Sequence, residues 1–182
     1  PRRGPAPHYR VLRPDRLEGQ THARYAIETE GDIRAILRKR MTTRHSVSLD
    51  VEPAVHLFIP HTSSEEDLTS DALAASLARS APLYAIDVRG LGESLPDDGG
   101  GDFFQAYGMD YMMNSHAEML GESYVGRRVH DVLSTLDLLV REGAKKVHLA
   151  GRGQGALIAL FAGLLHKSVG DVTLKNAPLS FL

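Results

Sequence analysis

Residues with the spacing for chemistry lie in Lys145–Leu165, KKVHLAGRGQGALIALFAGLL. Three glycines alternate with larger residues, Gly151-Arg152-Gly153-Gln154-Gly155, between an apolar stretch (Val147–Ala150) and an apolar run (Ala156–Leu165). Small residues at that spacing let a strand fold back sharply into a helix. In acyl-transfer enzymes such a bend reads G-x-S-x-G and holds a nucleophilic serine at its apex. The N–H of the residue after the apex then supplies half of an oxyanion hole. Here the apex is Gly153, which has no side chain. The oxyanion donors would be the N–H of Gln154 and one from the loop after Val55–Pro60, at Thr62 or a neighbour.

A rival chemistry uses the same glycines. Gly151-x-Gly153-x-x-Ala156 matches the dinucleotide fingerprint G-x-G-x-x-G/A, in which backbone N–H groups meet a pyrophosphate. That motif belongs to the first strand of its unit, whereas this one follows two strand–helix units. It also needs an acidic residue at the end of the next strand. Asp171 is 20 residues after Gly151 but lies before the Val172–Asn176 strand, whose far end offers Asn176. Nucleotide binding is therefore the lesser expectation, and a tight turn with no chemical duty competes with both.

Other candidates are judged by position. His61 follows an expected strand and falls in the loop that would complete the oxyanion hole, so it is a cleft candidate. Arg89 and Arg152 could meet a carboxylate or sugar acid at the mouth of the same cleft. Ser94 and Ser123 lie off any bend, and Ser94 suits a bond to its own turn. The nine histidines show no HExxH or comparable spacing, so no metal and no cofactor are expected.

The elements that must hold these residues read as follows. Pro1–Glu18, rich in Pro and Arg, is expected as a solvated arm, leaving one domain over 19–182. Ala23–Glu28 and Asp32–Arg40 flank Thr29-Glu30-Gly31 in the pattern of a β-hairpin, with a short helix as the alternative for the second segment. Val55–Pro60 and Leu83–Val88 are the near-continuous apolar runs of strands covered on both faces. Between them, Ser64 with Asp67 three residues on predicts a capping-box start to one helix carrying Leu68, Ala72 and Ala75. Tyr107–Ser123 gathers tyrosines and methionines, expected in the core or a lid.

Val125, Val129, Val132, Leu136 and Leu139 mark the clearest helix, over Val125–Glu142 with Gly143 as its cap. Val172–Asn176 is the last strand. This alternation predicts an α/β three-layer sandwich, a mostly parallel sheet with helices on both faces and a hairpin at its start. Ligands in such sheets sit beyond the carboxyl ends of the strands. That edge collects His61–Ser64, Arg89–Ser94, Arg152–Gly155 and Asn176–Ser180.

Composition bounds the rest. The chain has 182 residues, is 42% hydrophobic and 24% charged, and carries a net charge of −2, which suits a globular domain and gives no case for binding nucleic acid or an anionic membrane. No apolar run approaches the ~20 residues of a membrane span. The absence of cysteine excludes disulfides and thiolate metal sites. The start, Pro-Arg-Arg, has no initiator Met and no signal-peptide core, so a processed or trimmed start is expected and the compartment stays open.

Several of these stretches resemble a known family. Asp87-Val88-Arg89-Gly90-Leu91-Gly92-Glu93-Ser94 is similar to the D-x-R-G-x-G-x-S turn of α/β-hydrolases of the acetyl xylan esterase and cephalosporin-deacetylase type, also seen in prolyl-oligopeptidase relatives. Tyr111–Asp131, with Gly126-Arg127-Arg128-Val129-His130-Asp131, resembles the helix before their elbow. Lys175-Asn176-Ala177-Pro178 resembles the strand end after it. The match runs from about Val55 to Ser180.

The resemblance implies a serine esterase that releases acyl groups from carbohydrate. It also implies an Asp and a His on later strands. Gly153 stands in place of the serine, the one histidine beyond it is His166, and Asp171 comes too early. Two explanations are expected from this mismatch. Either the chain is the front part of a longer protein, or it is a shortened, catalytically silent relative that could still bind carbohydrate. The former is favoured because a bare apolar parallel strand makes a poor sheet edge. A missing C-terminal part or another chain is then the expected partner.

Overall fold

Alternating apolar positions early in the chain, and continuous apolar runs later, set two kinds of strand side by side. In the computed structural model, which describes residues 6–41, 47–96 and 108–178, β1 (Tyr9–Leu17), β2 (Gln20–Glu30) and β3 (Ile33–Arg40) form an antiparallel meander. Strands β4 (Ala54–Ile59), β5 (Leu83–Asp87), β6 (Lys146–Arg152) and β7 (Val169–Lys175) run parallel to one another. Together they make one seven-stranded sheet in the order β1-β2-β3-β5-β4-β6-β7, with β3 antiparallel to β5.

Where a solvated arm was expected, Tyr9–Leu17 pairs along β2, Tyr9 opposite Ile27 and Leu17 opposite Gln20. Glu18 and Gly19, both at positive φ (46° and 82°), close the turn. The Tyr9 ring meets Tyr25 edge-on at 5.9 Å. Among the residues of β1 only Leu17 is buried, so the arginines stand in solvent and hide the strand from a compositional reading.

Helices α4 (Tyr124–Arg141) and α5 (Gln154–Leu165) cover one face of the sheet. Their Val129, Val132, Leu136, Leu139, Ile158 and Ala162 join Leu57, Ile86 and Leu149 in the larger core. On the other face, α2 (Ala72–Ser80) sets Ala74 and Leu77 against Phe58, Ala85 and Ala150. Sheet and helices thus form three layers.

The single helix expected after β4 is two, α1 (Ser64–Ser70) and α2, broken at Asp71. Asp71 is extended (φ −89°, ψ 125°), and its carboxylate accepts from the N–H groups of Leu73 and Ala74. An Asp able to satisfy two orphan donors favours a new start over continuation. The cap of α1 is Ser63, which accepts from Glu66 N–H at 3.1 Å, one residue earlier than expected. Asp67 points into the protein instead of closing a capping box.

Helix α3 (Gly108–Met119) carries the tyrosine and methionine cluster, but Tyr111 and Met119 are exposed and Ala117 is its one side chain described as buried. The cluster is not core. Tyr107 lies outside the described residues.

The connection leaving β4 passes over one face to β5, and the one leaving β6 passes over the other to β7. Ile59 at the end of β4 pairs with Gly151 near the end of β6. Two neighbouring strands whose exits diverge open a crevice at their carboxyl ends.

Candidate functional site

Strand β6 ends in the glycine turn, and the glycines are there for close approach. A Cβ on Gly151 would lie 2.3 Å from the Gly155 carbonyl oxygen, and one on Gly155 would lie 2.3 Å from that of Ile59. Between them Gly153 adopts φ 56°, ψ −122°, a conformation that side chains rarely take and that active sites hold under strain. Its N–H donates to Lys175 O (2.9 Å), and its carbonyl accepts from Ala156 N–H (3.0 Å) as α5 begins. Strand, sharp reversal and helix follow as the sequence predicts.

The neighbouring loop fills the apex. A Cβ on Gly153 would lie 2.4 Å from His61 Nδ1 and 2.9 Å from its Cγ. The imidazole of His61 therefore occupies the space a side chain at 153 would need. The N–H of Gln154 donates to that same Nδ1 at 3.3 Å, which leaves the ring proton on Nε2. The Gln154 side-chain NH2 donates to the His61 carbonyl (2.6 Å), and the His61 N–H donates to Asp67 Oδ2 (2.9 Å). The structure thus brings His61 and Gln154 together as partners of each other.

The remaining candidates are held by the protein. The Thr62 hydroxyl donates to Glu66 (2.6 Å), and its carbonyl accepts from Gly92 N–H (2.9 Å). Arg152 binds Asp67 at 2.5 Å and lies 3.4 Å from Asp71, which also takes Lys175 at 2.6 Å. Arg89 grips the buried Asp131 through Nε (2.9 Å) and Nη2 (2.6 Å), and Glu30 through Nη1 (3.0 Å). Both arginines join elements together and neither stands free at a mouth.

The Asp87–Ser94 motif is a folded turn. Asp87, wholly buried, accepts from Ser64 N–H (2.6 Å), Ser64 Oγ (2.8 Å) and Arg38 (2.9 Å). Burial pushes its carboxyl upward, opposed by those same donors. Gly92, at φ 49°, leaves room for that carboxylate, which a Cβ would meet at 2.4 Å. The Ser94 hydroxyl donates to Asp87 O at 2.8 Å, so it bonds its own turn as expected. Ser123 is the cap of α4.

One supporting residue escaped sequence reasoning. Arg128 is buried, and its guanidinium donates to Arg89 O, Gly90 O, Gln154 Oε1 (2.8 Å) and both oxygens of Asp110 (3.0 and 2.6 Å). It ties the turn after β5, the start of α3 and the residue after the apex into one body. Its signal was a charge three residues after Val125 and four before Val132, on the stripe that faces the core.

A serine–histidine–aspartate chain does exist elsewhere. Ser168 Oγ is 2.8 Å from His166 Nδ1, and His166 Nε2 is 3.0 Å from Asp137. It sits at the amino end of β7, opposite the crevice, and Ser168 N–H also donates to His166 Nδ1 (3.2 Å). It clamps the α5–β7 connection to α4. Asp171 pairs with Lys146 at 2.7 Å near that same end of β7. A cavity of about 830 Å³ between the ends of β3 and α2, lined by Lys39, Glu52 and Arg79, also lies away from the apex. Among the described residues no group of His, Asp or Glu is placed to hold a metal ion, and no helix is long and apolar enough to cross a membrane.

No protein-family model and no curated protein matches the chain. Solved structures do. A Bacteroides fragilis protein assigned as an acetyl xylan esterase superposes with a TM-score of 0.61 at 13% identity, over 92% of this chain and 47% of that one. Glucuronoyl esterase from Solibacter usitatus gives 0.59 at 16%, over 94% and 52%. Acetyl xylan esterase 1 from Thermoanaerobacterium gives 0.54 at 17%, over 91% and 51%. The chain spans about half the length of these structures. Its fold is that of the α/β-hydrolases.

Proposed function

We propose that this α/β-hydrolase-fold chain is a carbohydrate-esterase-like domain that is silent as a serine esterase. Its glycine bend is a nucleophile elbow with no nucleophile. The observation that carries this is the apex itself: Gly153 holds the backbone angles of a strained reversal while the His61 ring fills the space above it.

Acyl transfer through a serine needs an oxygen at the apex, a base to take its proton and two donors for the developing oxyanion. The apex supplies no oxygen. His61 Nδ1 accepts from Gln154 N–H, so the first oxyanion donor is engaged before any acyl group arrives. The acetyl xylan and glucuronoyl esterases among the structural neighbours support a carbohydrate ester as the ligand class, with the crevice between β4 and β6 as its place.

Hydrolysis of 4-nitrophenyl acetate by the purified chain tests this. Turnover stays near background, because loss of a triad serine costs about six decades of rate in enzymes that have one. Gly153→Ser alone does not restore it, since among the described residues no acid–histidine pair is placed to serve an oxygen at the apex. Robust turnover by the unaltered chain would overturn the proposal and require another nucleophile.

A further inference from the structure

The His61 ring lies on the apex because the loop that carries it is held in place, and that loop belongs to no strand or helix. It runs from Pro60, after β4, to Ser64, where α1 begins. The His61 N–H is tied to Asp67, and two further anchors hold the loop beyond it. Ser64, wholly buried, gives its N–H to Asp87 Oδ1 (2.6 Å) and its hydroxyl to Asp87 Oδ2 (2.8 Å). The Thr62 carbonyl accepts from Gly92 N–H (2.9 Å). Gly92 packs on that same Asp87 carboxylate, which also accepts from Glu93 N–H (3.2 Å). Both anchors therefore depend on where the Asp87 carboxylate lies.

Arg38 of β3, only 1% exposed, holds that carboxylate. All three nitrogens of its guanidinium are engaged. Nε donates to Asp15 (3.2 Å), Nη1 to Asp87 (2.9 Å) and to Ser64 Oγ (2.5 Å), and Nη2 pairs with Glu93 (2.9 Å). These acceptors stand on β1, on β5, at the start of α1 and in the turn after β5. A rigid planar fork fixes such a set in one geometry, which the single ammonium of a lysine does not. Apolar side chains of the same volume would stabilise a core as well or better. Stability alone thus does not account for a buried charge at this place.

We infer that Arg38 is a positioning residue for the apex: acting through Asp87 and Ser64, it fixes the 61–64 loop where the His61 ring seats over Gly153. His61 lies three residues before Ser64, a reach of about 10 Å when fully extended, so a shift at Ser64 is passed to the ring. Resting on the reading of a filled apex, this gives the antiparallel meander a part in the crevice that its place in the chain conceals.

Amide spectra of the 15N-labelled chain test this. The Gln154 N–H donates to His61 Nδ1, so its resonance reports the seated ring. His61→Gly gives the position of that resonance with no ring on the apex. Ser64→Ala and, separately, Arg38→Lys move it about half of the way to that position or further, because coupled groups respond together. Ser64→Thr, which keeps the hydroxyl, leaves it near its original place. So does Lys39→Met, which removes an ion pair to Glu52 from the opposite face of the same strand. A merely structural role would lower stability in these variants without moving the Gln154 resonance. A folded Ser64→Ala or Arg38→Lys chain whose resonance stays put, or a Lys39→Met chain in which it moves as far, would overturn the positioning role and leave the apex reading standing. A resonance unmoved by His61→Gly itself would overturn both.

Discussion

At the scale of single residues, Gly153 leaves a space that the His61 ring occupies. Gly153 has a positive φ, and a Cβ there meets the His61 ring at 2.4 Å. Strain and collision should both appear on Gly153→Ala, at about 2–4 kcal/mol of lost stability. His61→Gly removes the collision and leaves the strain. Urea unfolding of the two single variants and the double should therefore show coupling. The double variant is more stable than the sum of its parts predicts, by about 1 kcal/mol or more. Strict additivity would mean that the ring does not fill the apex.

The sequence pointed to Gly153, Gln154 and His61 because glycine spacing and strand ends are local signals. That His61 lies on the apex depends on β4 and β6 being neighbours, which no window of sequence reports. Arg89 and Arg152 failed as cleft cations for a related reason. Their partners Asp131, Asp67 and Asp71 come from distant helices, or from a cap not recognised as one.

At the scale of elements, long strong periods were readable and short polar punctuation was not. The α4 stripe and the apolar runs of β4 and β5 predicted themselves through burial, since a helix period or a continuous run leaves little choice of partner. Asp71 shows the opposite case. Leu68, Ala72 and Ala75 suggest one helix, yet an Asp that can cap two N–H groups ends it at that point. Strand β1 was missed because its one buried residue, Leu17, gives no alternation to detect. Arg128 lies within the Gly126–Asp131 stretch, but its role is not legible there, because its acceptors lie on three separate elements.

At the scale of the whole molecule, burial of neutral histidines sets the response to acid. Burial lowers the affinity of His22 for a proton, more than Asp15 restores it. Burial and the nearby His148 do the same for His56. The Nδ1 atoms of both are buried with no hydrogen-bond partner among the described residues. As pH falls through about 6.5 the unfolded imidazoles take up protons that the folded ones refuse. Their contribution is present above that value and lost below it. Thermal unfolding should therefore come at lower temperature near pH 5.5 than near pH 7.5, and His56→Gln should flatten the decline. A midpoint that holds or rises over that window would sink this account.

The central claim concerns an atom that is missing, and a covalent probe addresses it most directly. The intact chain, incubated with a serine-directed fluorophosphonate and weighed by mass spectrometry, should keep its original mass, Ser94, Ser123 and Ser168 being held in a turn, a cap and a clamp. A stoichiometric adduct on any serine would show a working nucleophile and contradict the account.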